Sequence, residues 1–322
     1  MKILGNRLLV KVDEYYISGS GIYLSTDIFS HCSCVVQGVG IGVKDLVLDG
    51  DIVYYSGGLV RYDCDLYFLE YDNVYCIKRG DRYISVNNHC LVEVLGDNDV
   101  ISFGGKEIYF DNSFDKGLYT PVMCVVVGLP DFLYYNYVEI KQMRGISLMY
   151  DVDIDCVIGD LVYVKWKSVN SGLGRDWHNG ESDEVGRCLY KSERGNKVIS
   201  VRYDSLICRY DDIYGVYCMN DYLLIKPDVL LEETDLVLPD ILKDRVSSRL
   251  GVVVADGDIA RGGLFDRDVD VCVGDRVLLD NGFNLLLESS LFRSLYDYDV
   301  YAVQRYGVIG KLSKDLLINV KE

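Results

Sequence analysis

The chain has 322 residues, 50 acidic and 33 basic for a formal charge of -17, and 49% of it is hydrophobic. That hydrophobic share can build real cores and excludes a disordered polypeptide, while the acidic excess repels phosphate backbones and argues against nucleic acid as a partner. No apolar run approaches the roughly 20 residues needed to span a bilayer, and Arg7 and Lys11 interrupt the stretch after Met1, which reads as a strand and not a signal peptide; no membrane partner is expected.

Taken in chain order, four landmarks recur three times. An apolar strand opens each unit, at Leu8-Leu9-Val10-Lys11-Val12, Leu91-Val92-Glu93-Val94-Leu95 and Leu223-Leu224-Ile225-Lys226-Pro227. A second strand follows, at Cys34-Val35-Val36-Gln37-Gly38, Cys124-Val125-Val126-Val127-Gly128 and Gly251-Val252-Val253-Val254-Ala255. A Gly-Asp turn then feeds a third strand, at Gly50-Asp51, Gly159-Asp160 and Gly274-Asp275. An acidic step leads into a closing strand, after Asp72, Asp204 and Asp299. Repetition in constant order points to a tandem array of one small β module. The divisions expected are 1–80, 81–211, 212–306 and a tail from 307 to 322.

The chain contains 27 tyrosines and only 4 prolines, with Val, Ile and Leu in alternating runs punctuated by Gly, Asn and Asp. That pattern suits pleated, half-buried strands with short turns. The fold class expected is all-β: three tandem small β-barrels with little helix. A turn or two of helix fits only residues 231–244, where Pro239 limits it.

Eleven cysteines are present, yet no Cys-x-x-Cys pair occurs, and the His31-Cys32-Ser33-Cys34 cluster lacks a second ligand pair at metal spacing. Cys34, Cys76, Cys124, Cys208 and Cys272 fall in or beside predicted strands, where a free thiol behaves as a small hydrophobe. Reduced, structural cysteine and a cytoplasmic location are expected. His31, His89 and His178 stand in no nucleophile or metal context, and no phosphate-cradling glycine loop is present. No enzyme, metal or cofactor is expected.

Leu4-Gly5-Asn6-Arg7-Leu8-Leu9-Val10-Lys11 resembles the amino-terminal signature of the GroES-like co-chaperonins, with Ile3 where the family usually has proline. Gly19-Ser20-Gly21-Ile22-Tyr23-Leu24 is similar to the family's mobile-loop stretch, and Asp49-Gly50-Asp51-Ile52-Val53-Tyr54 to its Val-Gly-Asp-x-Val step. In the third unit Asp235-Leu236-Val237-Leu238-Pro239 resembles the mobile-loop tripeptide, and Val271-Cys272-Val273-Gly274-Asp275-Arg276-Val277-Leu278-Leu279 is the best single match. The middle unit diverges most: Glu107-Ile108-Tyr109-Phe110 is only weakly similar to the tripeptide, and insertions near 131–150 and 168–185 interrupt it. The resemblance covers the chain from Met1 to about Tyr306.

The resemblance implies three GroES-like barrels that bind a chaperonin ring through mobile loops, with Gly21, Ile22, Tyr23, Leu24, Leu236, Val237 and Leu238 as the contact residues. Binding by such loops couples ordering to burial of a few aliphatic side chains, and several copies add avidity. A homo-oligomer is expected with it. The alternative is a structural or assembly protein, such as a virion component, that reuses the barrel for oligomerisation; the composition suits a viral gene, which would place the chain in host cytoplasm or a virion. An enzyme or ligand binder built on a similar barrel ranks last, since no nucleotide-binding domain accompanies it.

Overall fold

The computed structural model describes residues 3–12, 32–56, 58–95, 100–103, 106–109, 121–133, 154–165, 188–211, 215–229, 246–257, 271–280, 285–287 and 290–312. The first unit comprises β1 (Arg7–Lys11), β2 (Cys32–Val39), β3 (Ile52–Tyr55), β4 (Val60–Arg61), β5 (Leu66–Glu70), β6 (Val74–Arg79) and β7 (Arg82–Ser85), in one antiparallel sheet of order β4-β5-β1-β2-β3-β6-β7. Period-two alternation sends Leu8 and Val10 into a core with Val36, Val53, Leu69 and Ile77.

A flat sheet would hold β5 and β6 four strand steps apart, about 19 Å at ~4.8 Å per step. Yet a single 3-10 turn, Tyr71–Asn73, joins them. Three residues in that tight geometry rise about 6 Å, so the sheet must curl until its first and last long strands meet around the core. The same constraint acts in the other two units, through the turns Tyr203–Ser205 and Arg305–Gly307.

The second unit holds β8 (His89–Val94), a separate hairpin of β9 (Val100–Phe103) and β10 (Lys106–Tyr109), β11 (Val122–Gly128), β12 (Leu161–Val164), β13 (Cys188–Lys191), β14 (Lys197–Arg202), β15 (Leu206–Asp211) and β16 (Gly215–Cys218). Its sheet runs β13-β14-β8-β11-β12-β15-β16. The third holds β17 (Tyr222–Val229), β18 (Val246–Ala255), β19 (Arg276–Leu279), helix α1 (Ser290–Leu295), β20 (Tyr301–Gln304) and β21 (Val308–Leu312), in the order β20-β17-β18-β19-β21. The protein is therefore all-β, three antiparallel units sharing one five-strand order, with α1 as the α-helix among the described residues.

Three sequence expectations change. The segment after Asp299 is not the third closing strand: β20 pairs with β17, as β5 pairs with β1, and closure falls to Val308–Leu312 beyond it. The third sheet thus extends past Tyr306. Units one and two likewise run past residues 80 and 211, because β7 and β16 each hairpin onto the closing strand. The second unit's opening strand also begins earlier than Leu91. Leu9, Leu91 and Leu224 lie opposite Gly38, Gly128 and Ala255, so these three leucines correspond. A one-residue shift of frame exchanges the two faces of a strand, and these leucines point away from their own unit's core.

The units are joined by one repeated device. Asn87 and Asn88 have φ of 52° and 62°, and Asn220 and Asp221 have φ of 50° and 62°, a left-handed pair that short polar side chains tolerate better than branched ones. Asn87 Nδ2 donates to the carbonyls of Tyr71 and Val74 at 2.7 and 2.8 Å, and Asn220 Nδ2 to those of Tyr203 and Leu206 at 2.7 and 2.9 Å. Each linker clamps the 3-10 turn of the preceding unit. The carbonyls of Asn6, Asn88 and Asp221 then accept from the amides of Tyr71, Tyr203 and Arg305, which fixes each opening strand against its own unit's turn.

Candidate functional site

The expected contact residues Gly21, Ile22, Tyr23, Leu24, Leu236, Val237 and Leu238 lie outside the described residues. Their place in the chain is nonetheless defined by the strands that bracket them. The first group belongs to the connection between β1 and β2, the second to that between β17 and β18, the corresponding connection of its unit. In the middle unit the same connection carries the β9–β10 hairpin, with Glu107, Ile108 and Tyr109 in β10 opposite Ser102, Ile101 and Val100. These connections leave at the end of each unit where the second strand begins.

Further along the second strand sits the Gly-Asp turn, built identically three times. Gly50, Gly159 and Gly274 have φ of 88°, 101° and 91°, a conformation that glycine adopts without steric cost. Their amides donate to Val36, Val126 and Val253 at 2.9, 2.8 and 2.8 Å, and those valines donate back to the carbonyls of Asp51, Asp160 and Asp275. Each aspartate carboxylate accepts from the amide three residues earlier, at Leu48, Val157 and Cys272, over 2.8, 2.9 and 2.9 Å. Each also faces a cation on its own unit's closing strand: Arg79 at 2.7 Å, Arg209 at 3.6 Å and Lys311 at 2.6 Å. These carboxylates are committed to holding a turn, and none is placed as a free general base.

The turn tips carry apolar side chains outward. Leu48, Val157, Ile158 and Val273 are all exposed, as are Ile41 and Phe132 in the connections leading to the first two turns. Sequence reasoning read the Gly-Asp pair correctly but not the apolar residues before it, although their place one or two residues ahead of the glycine was the available signal. Cys272 also departs from expectation. It is exposed in the third turn and is not a strand hydrophobe.

Seven further thiols are chemically quiet, whereas Cys64 is exposed like Cys272. Cys34, Cys76, Cys90, Cys124, Cys156, Cys208 and Cys218 are buried, and none is joined in a disulfide. Burial pushes Cys76 and Cys156 up to about 12 and raises Cys90, Cys208 and Cys218 too, so the nucleophilic thiolate is suppressed at neutral pH. Burial likewise raises the Tyr203 phenol, with Cys156 and Asp155 adding to the effect; its hydroxyl donates to the Asp155 carboxylate and accepts from the Asp155 amide. His89 lies in β8, where Nδ1 donates to the Asn87 carbonyl at 2.8 Å; a carbonyl can only accept, so that nitrogen carries the proton. His31 and His178 lie outside the described residues.

A cleft of about 630 Å³ opens between the second and third units, lined in part by Val216, Tyr217, Asp256, Val273, Leu295 and Tyr296. Its single carboxylate has no imidazole or thiol beside it among the lining residues. Among the described residues no three His, Cys, Asp or Glu side chains group as metal ligands, and no helix is long and apolar enough to cross a membrane. What the described surface offers is contact: apolar side chains exposed at all three Gly-Asp turns. The chain matches no family model, and no curated protein matches it.

Proposed function

We propose that the chain is a non-enzymatic, GroES-like co-chaperonin that engages a partner chaperonin ring through the connections between the first and second strands of its units. One observation carries this reading: the tripeptides Ile22-Tyr23-Leu24 and Leu236-Val237-Leu238 occupy the same topological connection in units that share one strand order. Two independent segments with the same apolar character at the same place are what multivalent capture of one ring requires, because weak contacts then combine through effective concentration.

The test is nucleotide-dependent co-sedimentation of the full chain with a chaperonin ring. Ile22→Ser combined with Leu236→Ser should abolish co-sedimentation while the thermal melt stays unchanged. Binding that survives the double substitution excludes the loop mechanism.

A second reading, an assembly protein such as a virion component, is favoured by the apolar turn tips at Leu48, Val157, Ile158 and Val273, which the loop mechanism leaves unused. Recovery of the chain in fixed stoichiometry within purified particles, with no chaperonin binding, would select it.

A further inference from the structure

Neighbouring units meet through two different faces, and each internal junction pairs one with the other. The trailing face belongs to the third and closing strands: Tyr54, Tyr75 and Cys76 in unit one, Tyr163, Ile207 and Cys208 in unit two. The receiving face is the outward side of the opening strand and of the strands beside it: Leu91, Leu189, Val198 and Tyr190 in unit two, Leu224, Val300 and Ala302 in unit three.

Strand register carries both faces to the ends of the chain. Tyr54 lies opposite Cys76, Tyr163 opposite Cys208 and Leu278 opposite Gly310, each followed by a bulge that turns Tyr75, Ile207 or Ile309 outward. Ile207 is fully buried by the next unit, whereas Ile309 is 48% exposed. At the other end Leu66 lies opposite Lys11 as Val198 lies opposite Glu93, and Tyr62 donates its amide to Leu66 where Tyr190 pairs with Val198. Tyr190 packs at the first junction, yet Tyr62 is 51% exposed and Val60 beside it 63%. Among the described residues, the trailing face of the third unit and the receiving face of the first are therefore exposed.

We infer that a second copy of this chain docks head to tail, the trailing face of its third unit around Ile309 and Leu278 seating on the receiving face around Tyr62, Val60 and Leu66. The occupant is specified by continuity: the same pair of faces is already joined twice within the molecule, through linkers of matching φ and matching hydrogen bonds. Such a contact is heterologous, so each chain keeps one free face after pairing and the array extends or closes on itself. No residue of the two tripeptides takes part, so the inference stands apart from chaperonin binding.

Sedimentation velocity of the full chain, Ile309→Glu and Tyr62→Glu tests it. A carboxylate placed on either face is left unpaired in an apolar contact. The native chain should shift to larger species as concentration rises, and each variant should remain a monomer with an unchanged thermal melt. An equimolar mixture of the two variants should stop at a two-chain complex, because each retains the face the other needs. A native chain that stays monomeric, a single variant that still self-associates, or folded variants that fail to pair when mixed would each overturn the inference. If either glutamate variant unfolds, Ile309→Ser and Tyr62→Ser replace them under the same criteria.

Discussion

Between units one and two the shared contact is small and aromatic: Tyr75, Cys76, Leu91, Leu189 and Val198 are buried, and Tyr83 stacks on Tyr190 with ring centres 4.4 Å apart. Between units two and three a single continuous core holds fifteen buried residues, among them Tyr163, Ile207, Leu224, Leu291 and Phe292. Helix α1 supplies that difference. It inserts Leu291 and Phe292 before β20, and Phe292 meets Tyr163 edge-on with ring centres 4.8 Å apart. Apolar burial scales with area removed from water, so the second and third units form one cooperative body while the first is attached to it by the linker clamp and a modest aromatic contact.

The largest effect that can break this contrast lies in α1. Phe292→Ala removes a buried ring from the shared core and should cost about 3–5 kcal/mol, lowering the urea midpoint of units two and three together. Tyr83→Ala at the other junction should leave that transition in place and increase only hydrogen exchange across the first junction. A single transition shifted equally by both variants would mean that the two junctions are energetically alike.

The linkers sharpen the comparison at intermediate size. Asn220→Ala forfeits two hydrogen bonds to carbonyls in a buried setting and places a Cβ residue without a compensating polar contact at positive φ; a cost of about 2–3 kcal/mol follows. Asn87→Ala loses the same two bonds at a less buried position, where water can replace them, and should cost about half as much. Thermal melts of the two variants check the ranking, and equal losses would show that the clamps, unlike the cores, are equivalent.

Much of this frame was legible beforehand because Gly-Asp pairs and alternating valines have strong local causes. A glycine with positive φ beside an aspartate that caps its own turn announces itself at positions 50, 159 and 274. The fifth strand of each unit was not legible: β5, β14 and β20 differ in length and composition, and Asp299 imitates the acid that precedes β6 and β15. Gly310 and Lys311 disguise the true closing strand, whose pairing with β19 is a tertiary fact. Leu291 and Phe292 sit in a helix of six residues, too short for periodicity to reveal. For the candidate site, the sequence supplied the tripeptides and the strands supplied their equivalent topological place, while the linker asparagines were overlooked because their role is to bond carbonyls that are distant until the chain folds.

The junctions differ, finally, in their thiols. Cys76 lies in the first junction with its pKa raised by burial to about 12 from an ordinary value of 9.0; Cys208 and Cys218, directly opposite one another in β15 and β16, lie in the second and are raised by burial too. In each case the folded state holds the proton more tightly, so the stabilisation is complete below the ordinary thiol pKa and is lost as pH rises toward the raised value. Each thiol contributes a slope of at most about 1.4 kcal/mol per pH unit. Urea unfolding of units two and three between pH 9 and 11 should therefore fall more steeply than loosening of the first junction measured by exchange. Cys76→Ala should flatten only the latter. Should Cys76→Ala instead flatten the main transition, the first unit belongs to the same cooperative body as the other two.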